Sequence, residues 1–469
     1  MKLTRRRFIL GTAIAGGGLL LGYATTRPDR HTLANQHHAG EGQTFLTTWL
    51  RIDPDNQITV LVPHSEMGQG VLTSLPMMAA DEMDADWSKV NVEQAPASDL
   101  FANGVLIKGF AGSLGFTVPA FLDRTMDAVT MKAAEIMNMQ ITGGSSSVRF
   151  TGEMGMRVAG AAARQMLVSA AAQQWNVDAA ELTTANSVVS HAPSGRTATY
   201  GELASAAAQF DPPRKPVLKR PEQFTLMGKP VARIDIPAKV DGSARYGIDA
   251  RPDNMLYAAV KTSPVFGGKL LGVGNIDAVL QRRGVRKVIE LDDAVAVVAD
   301  NYWRASKALE LLEPAFSDTE FDTRSSTDIF ADYDLALSEG DRNRDVASGD
   351  AAAAFESADE IITATYRVPY LAHAAMEPMN CTVHFHNDQC EVWTGTQDNL
   401  GIRGQVANAA GLDETAVTVY PFYLGGGFGR RLPTSTNTII QATQIARQFD
   451  VPVQTLWSRE EDTRQDYYR

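Results

Sequence analysis

The sequence predicts a mixed α/β fold (α+β in its arrangement) built on more than one core. Strand-like alternation and helix-length apolar periodicity take turns along the chain, and glycine clusters stand where strands end. With 469 residues, 44% of them hydrophobic and only 21% charged, the chain can bury about two to four cores. The net charge of −12 excludes nucleic acid and anionic membrane surfaces as partners, because phosphate binding needs a basic face.

The elements follow in order. Thr4-Arg5-Arg6-Arg7-Phe8 precedes an apolar, glycine-rich stretch from Gly11 to Ala24, the pattern of a twin-arginine export signal. The stretch is short of the roughly 20 residues of a membrane span, so the expected location is periplasmic. A retained membrane tether stays open. Residues 27 to 43 are polar and read as a linker, with His31, His37 and His38 solvated. Leu50-Arg51-Ile52 and Ile58-Thr59-Val60-Leu61-Val62 flank the turn Pro54-Asp55-Asn56 and predict a hairpin. A helix is expected from Leu72 to Met83, a strand from Trp87 to Ala95, and a long helix from Gly155 to Trp175. The run Ala159-Gly160-Ala161-Ala162-Ala163 on that last helix predicts close contact with a neighbouring helix. Pro, Arg and Lys between Asp211 and Pro221 mark a boundary.

The resulting segments are 1–40 (signal and linker), 41–215, 228–315, an acidic and serine-rich connector at 316–360, and 361–469. Within the last, strands are expected at Ile361–Tyr370, Cys381–His386, Cys390–Thr396 and Val417–Tyr423. Cys381 and Cys390 are the only cysteines; they pair across a hairpin or remain thiols. Two cysteines cannot ligate an iron–sulfur cluster, which takes about four thiolates. His384 and His386 share one face of a strand. Without a carboxylate or cysteine partner they read as surface residues, and no protein-ligated metal site is expected.

Chemistry concentrates in glycine-rich loops. Gly425-Gly426-Gly427-Phe428-Gly429-Arg430-Arg431 follows a strand, so its backbone N–H groups can approach a bulky polar ligand and the arginines can meet its charge. Trp393-Thr394-Gly395-Thr396-Gln397 ends a strand on an amide. Glu66-Met67-Gly68-Gln69-Gly70 joins a strand to a helix, placing free N–H groups and the positive helix end together. Thr142-Gly143-Gly144-Ser145-Ser146-Ser147 repeats that logic. Each alone is also consistent with an ordinary turn or helix cap. His373 and Glu377 lie ahead of the Gln397 strand.

Together these segments resemble the molybdopterin-binding subunits of the xanthine dehydrogenase and aldehyde oxidase family. Residues 228–315, with Gly228-Lys229-Pro230-Val231-Ala232-Arg233 and Val295-Ala296-Val297-Val298-Ala299-Asp300, resemble that family's a/b hammerhead domain. The first two loops precede the hammerhead here, an order similar to the isoquinoline 1-oxidoreductase beta-subunit type. The resemblance implies that Gln397 faces a molybdenum ion and that Glu377 is a buried, hydrogen-bonded structural carboxylate, since the family's base comes from elsewhere. It also implies that Met67, Gly68, Gln69, Gly70, Gly144, Ser145, Ser146, Ser147, Gly426, Gly427, Phe428, Gly429 and Arg430 contact molybdopterin, in its cytosine dinucleotide form. Arg469 takes the place of a substrate-orienting arginine. The implied reaction is oxidation of aldehydes or N-heteroaromatic compounds with water-derived oxygen, the electrons leaving through a small 2Fe–2S partner subunit. Purine-oxidising relatives carry a glutamate where this chain has Leu432. The family's active-site glutamate has no counterpart, so a separate C-terminal half is expected; the alternative is a non-catalytic exported remnant or binding module.

Overall fold

The computed structural model describes residues 30–113, 123–340, 348–435 and 437–467. The twin-arginine segment and Arg469 lie outside them. Among the described residues no helix is long and apolar enough to cross a membrane.

The first sheet runs in sequence order from β1 (Thr44–Thr47) through β2 (Leu50–Ile52) and β3 (Ile58–Val62) to β4 (Val90–Gln94). The expected hairpin forms in register, Leu50 opposite Val60 and Ile52 opposite Ile58. Asn56, at the turn, takes φ 70, a left-handed value that asparagine tolerates. The helix Val71–Met83 returns to β4, which pairs parallel with β3. The long helix Arg157–Trp175 packs on it, where a Cβ on Gly160 would lie 2.3 Å from the Ala79 carbonyl oxygen. The small-residue run therefore allows the close backbone approach expected of it. Phe45, Leu50, Ile52, Leu75, Met83 and Leu167 are among the buried side chains of this core. A small sheet, β5 (Leu182–Ala185), β6 (Val188–His191) and β7 (Arg196–Thr199), lies beside it.

The remaining strands are β8 (Leu256–Thr262), β9 (Leu270–Gly274), β10 (Val285–Glu290), β11 (Ala294–Ala299), β12 (Glu313–Phe316), β13 (Asn380–His386), β14 (Gln389–Thr394), β15 (Val417–Pro421) and β16 (Val453–Leu456). Seven of them make one mixed sheet in the order β10-β11-β8-β16-β13-β14-β15. The parallel pairing of β16 with β8, Val453 opposite Leu256, carries the sheet across segments 228–315 and 361–469. Every residue of β11 is buried, as expected of a strand covered on both faces. The helices Asn399–Ala410 and Thr438–Ala446 cover one face, and Tyr302–Leu309 covers the other near β8 and β11. β9 pairs with β12 in a two-stranded ribbon.

Three expectations change. Residues 30 to 37 form a helix, not a linker, and it buries His31 and Ala34. The acidic connector carries two exposed helices, Ser326–Glu339 and Ala351–Ser357, the first closed by a capping box between Ser325 and Asp328. The strand expected at Ile361–Tyr370 does not form: these residues are exposed and belong to no sheet. Alternating Ile, Thr and Tyr favour a strand only where a neighbour completes the ladder, and none of the described residues pairs here.

Candidate functional site

The site forms where the loops after β3, β14 and β15 meet the segment 142–147. In the first loop Glu66 folds back over its own chain, its buried carboxylate accepting from the N–H groups of Gly68 at 2.9 Å, Gly70 at 3.2 Å and Leu72 at 3.3 Å. This closes the loop onto the start of the helix Val71–Met83, where N–H groups would otherwise lack partners. Arg233 at 3.1 Å and Lys239 at 3.6 Å compensate its charge. Both also pair with Asp235, whose carboxyl is held near 2: burial pushes it up, but the hydrogen bonds and charges of Arg233 and Lys239 outweigh that. Gln69 turns inward, accepting from Met67 N and donating to the Ser65 carbonyl. Gly68, at φ 106, borders open space, since a Cβ there would meet nothing within 4 Å.

The second loop is tied to the first through Thr142, whose hydroxyl accepts from Ser65 N at 2.8 Å. Gly144 follows at φ 40, also bordering open space, and Ser145 is exposed. The side chains of Ser146 and Ser147 lie outside the described residues. Beneath this loop His64, Thr151 and Asn103 form a buried polar cluster, His64 Nε2 lying 2.7 Å from Thr151 Oγ1. Burial pulls the His64 imidazole down to about 4, against a backbone hydrogen bond at Ile141, so it is neutral at physiological pH.

Gln397 is the clasp. Its Nε2 donates to the Thr142 carbonyl at 3.0 Å, while its Oε1 accepts from Gly429 N at 2.9 Å and Arg431 N at 3.3 Å. The backbones add Thr142 N to the Gln397 carbonyl at 2.7 Å and Gln397 N to the Arg431 carbonyl at 3.0 Å. A Cβ on Gly427 would lie 2.6 Å from Met67 Sδ and 2.9 Å from Gln397 Oε1, so any side chain there must displace the Met67 thioether or the hydrogen-bonded Gln397 amide where these loops converge. Next to Gln397, Asp398 caps the helix Asn399–Ala410 and accepts from Gln140 N, and burial raises its carboxyl to about 7 against those hydrogen bonds.

The third loop is anchored from below by Glu377, which receives Gly425 N at 2.8 Å, Ile248 N at 2.9 Å and Asn380 Nδ2 at 2.9 Å. It is buried, hydrogen-bonded and structural, as expected. Phe428 has φ 57, which only the surrounding structure can impose on a residue with a side chain, and its ring is 61% exposed at the loop tip. The N–H groups of Gly426, Gly427 and Phe428 find no acceptor among the described residues. Successive unpaired backbone donors of this kind can take an anion.

Arg430 requires correction. It does not face the open side: it is buried over Trp457 and pairs with Asp462 at 3.4 Å and Asp466 at 3.1 Å, so its charge is matched within the protein. Arg431, expected with Arg430 to meet a ligand's charge, also turns inward and was missed as a support: it donates to the carbonyls of Gly426 and Pro378 and lies 3.4 Å from Glu377. Glu66 and Thr142 were likewise missed as supports, though both stand within the glycine motifs that were noticed.

Two models of the molybdopterin cofactor-binding domain match the chain, over residues 11–120 and 337–469, and so include the first and third loops. The chain belongs to the molybdopterin-binding family of xanthine dehydrogenase and aldehyde oxidase. It is 32% identical to the beta subunit of isoquinoline 1-oxidoreductase from Brevundimonas diminuta, over 90% of this chain and 55% of that protein. To the membrane-bound aldehyde dehydrogenase (pyrroloquinoline-quinone) of Gluconacetobacter polyoxogenes it is 28% identical, over 100% of this chain and 57% of that protein. A nicotinate dehydrogenase chain of Pseudomonas putida is 24% identical over 89% of this chain and 32% of its own length. The chain thus spans about half the length of the first two relatives. The residues present fit molybdopterin: open N–H donors on Gly426 to Phe428 suit its polar edge, and Gly68 and Gly144 leave room beside them.

Proposed function

We propose that this chain is the molybdopterin-holding portion of a molybdenum hydroxylase large subunit that oxidises aldehydes or N-heteroaromatic compounds with water-derived oxygen. The observation that supports it is the convergence at Gly427 of three loops distant in sequence, beside a row of open backbone donors. Met67 to Gly70, Gly144 to Ser147 and Gly426 to Gly429 would hold the pterin and its dinucleotide extension, read as the cytosine form. When bound, the group supplies the two-electron redox chemistry, while the protein supplies position and hydrogen bonds.

Gln397 fixes the mutual position of the three loops. With one amide N–H given to Thr142, it keeps a second for a ligand oxygen. Glu377 and Arg431 hold the glycine run from behind, and His64 stays neutral beneath the second loop. Electrons would leave through a small 2Fe–2S partner, and the twin-arginine segment would export the loaded assembly to the periplasm. Leu432, apolar where purine-oxidising relatives carry a glutamate, favours aldehyde or simple heteroaromatic substrates over purines.

Co-expression with the remainder of the large subunit and a two-cluster partner tests this reading. Stoichiometric molybdenum with turnover of an aldehyde or N-heteroaromatic compound by a dye acceptor is expected. A metal-free complex would overturn it, and a metal-loaded complex inactive on both classes would make the chain a binding module.

A further inference from the structure

A second site lies on the same sheet, at the far end of the β13–β14 hairpin. Asn387 and Asp388 form its two-residue turn, both at positive φ (47 and 59), which fixes the register of the strands. In that register His384 stands opposite Glu391, and His386 follows two residues after His384, so all three side chains share one face. Phe385, between the histidines, packs against the core. The carboxylate partner that the sequence alone did not supply is thus delivered by the neighbouring strand.

The three groups are already gathered. His386 Nε2 lies 3.0 Å and His384 Nδ1 3.7 Å from Glu391 Oε2, and one donor atom from each residue lies within 4.8 Å of the others. A tetrahedral zinc centre with bonds of about 2.1 Å sets its ligand atoms about 3.4 Å apart, so small side-chain shifts suffice. Glu391 is held from behind: Tyr420, on β15, donates to its Oε1 at 2.7 Å, leaving Oε2 toward the imidazoles. The Tyr420 ring stacks on Trp393, centroids 5.2 Å apart, which fixes the donor. Such an outer hydrogen bond orients a ligating carboxylate. The histidines are half-exposed, so water can complete the coordination. Glu391 lies within β14 near the turn, whereas Gln397 lies in the loop beyond that strand's other end at Thr394, which keeps this site apart from the glycine-rich loops.

We infer that His384, His386 and Glu391 form a binding site for one divalent zinc-class ion, with Tyr420 as the residue that positions the carboxylate. Two imidazoles and one carboxylate with an open fourth position are a ligand set suited to Zn²⁺. The ion would pin the hairpin at its turn end.

The test is calorimetric titration of the metal-stripped full chain with zinc chloride at neutral pH, beside His386→Asn, Glu391→Gln and Tyr420→Phe. The parent should bind one equivalent. The first two variants should bind roughly tenfold or more weakly, with a smaller loss for Tyr420→Phe. Binding at other histidines would survive these substitutions, so a loss confined to them reports the hairpin. Metal-free thermal midpoints matching the parent's would exclude misfolding, and the Co²⁺-loaded parent should show a tetrahedral visible band absent from Glu391→Gln. No zinc binding by the parent, or unchanged affinity in both His386→Asn and Glu391→Gln, would overturn the assignment.

Discussion

The glycine-rich loops around Gln397 and the segment 351–371 differ in one respect: the loops are closed by buried polar groups, and the segment stays open. Around Gln397 the buried polar groups Glu66, Thr142, Glu377 and Arg431 are joined across as many as 358 residues of sequence, from Glu66 to Leu424. Along 351–371 Ile361, Ile362, Tyr366, Val368 and Leu371 are 56 to 90% exposed, and no strand or helix of the described residues covers them. The glycine-rich loops are tied together from within the chain, whereas residues 351–371 take no part in that closure.

The sharpest way to break the closed region is at Gly425. Its Cβ would lie 2.4 Å from Glu377 Cβ, so Gly425→Val must displace a buried carboxylate from Ile248, Asn380 and Arg431. We expect a loss of about 5 kcal/mol, combining overpacking with a broken buried ion pair. A urea unfolding midpoint equal to the parent's would refute that closure.

A smaller effect sharpens the same comparison through pH. His64 titrates near 4 when folded and near 6.5 when unfolded, so below 6.5 the unfolded chain binds more protons and the fold weakens as pH falls toward 4. The cost approaches roughly 3 kcal/mol. His64→Gln should remove it, and the stability of parent minus variant between pH 7 and 4 isolates it from Asp398, whose raised carboxyl acts in the opposite sense. A flat difference would place His64 in solvent.

The smallest effect belongs to the open region. Ile362→Ser and Tyr366→Ser should each change stability by less than about 0.5 kcal/mol, as for surface sites without partners. A drop of several degrees in the melting temperature of the chain alone would mean that the segment is covered.

Much of this contrast was legible in the residues. The turn at Asn56, the glycine runs and the strand β14 that leads into the Gln397 loop could be read because each depends on local backbone requirements. Glu377 was recognisable as structural only through the family resemblance, which takes the catalytic base from elsewhere. What could not be read depends on distant pairing: the ion pairs that turn Arg430 inward come from Asp462 and Asp466, and β8 joins β16 across nearly two hundred residues. The failed strand at Ile361–Tyr370 has the same cause, since its propensity needed a partner that local sequence cannot reveal.

The central claim, that three loops meet at Gly427 to hold molybdopterin, is tested most directly by the molybdenum and pterin content of the assembled complex carrying Gly427→Ala. Gly272→Ala serves as control, because a Cβ there meets nothing within 4 Å. The account predicts a folded complex with sharply reduced metal and pterin for Gly427→Ala, and full content for the control. Unchanged content in Gly427→Ala would contradict it.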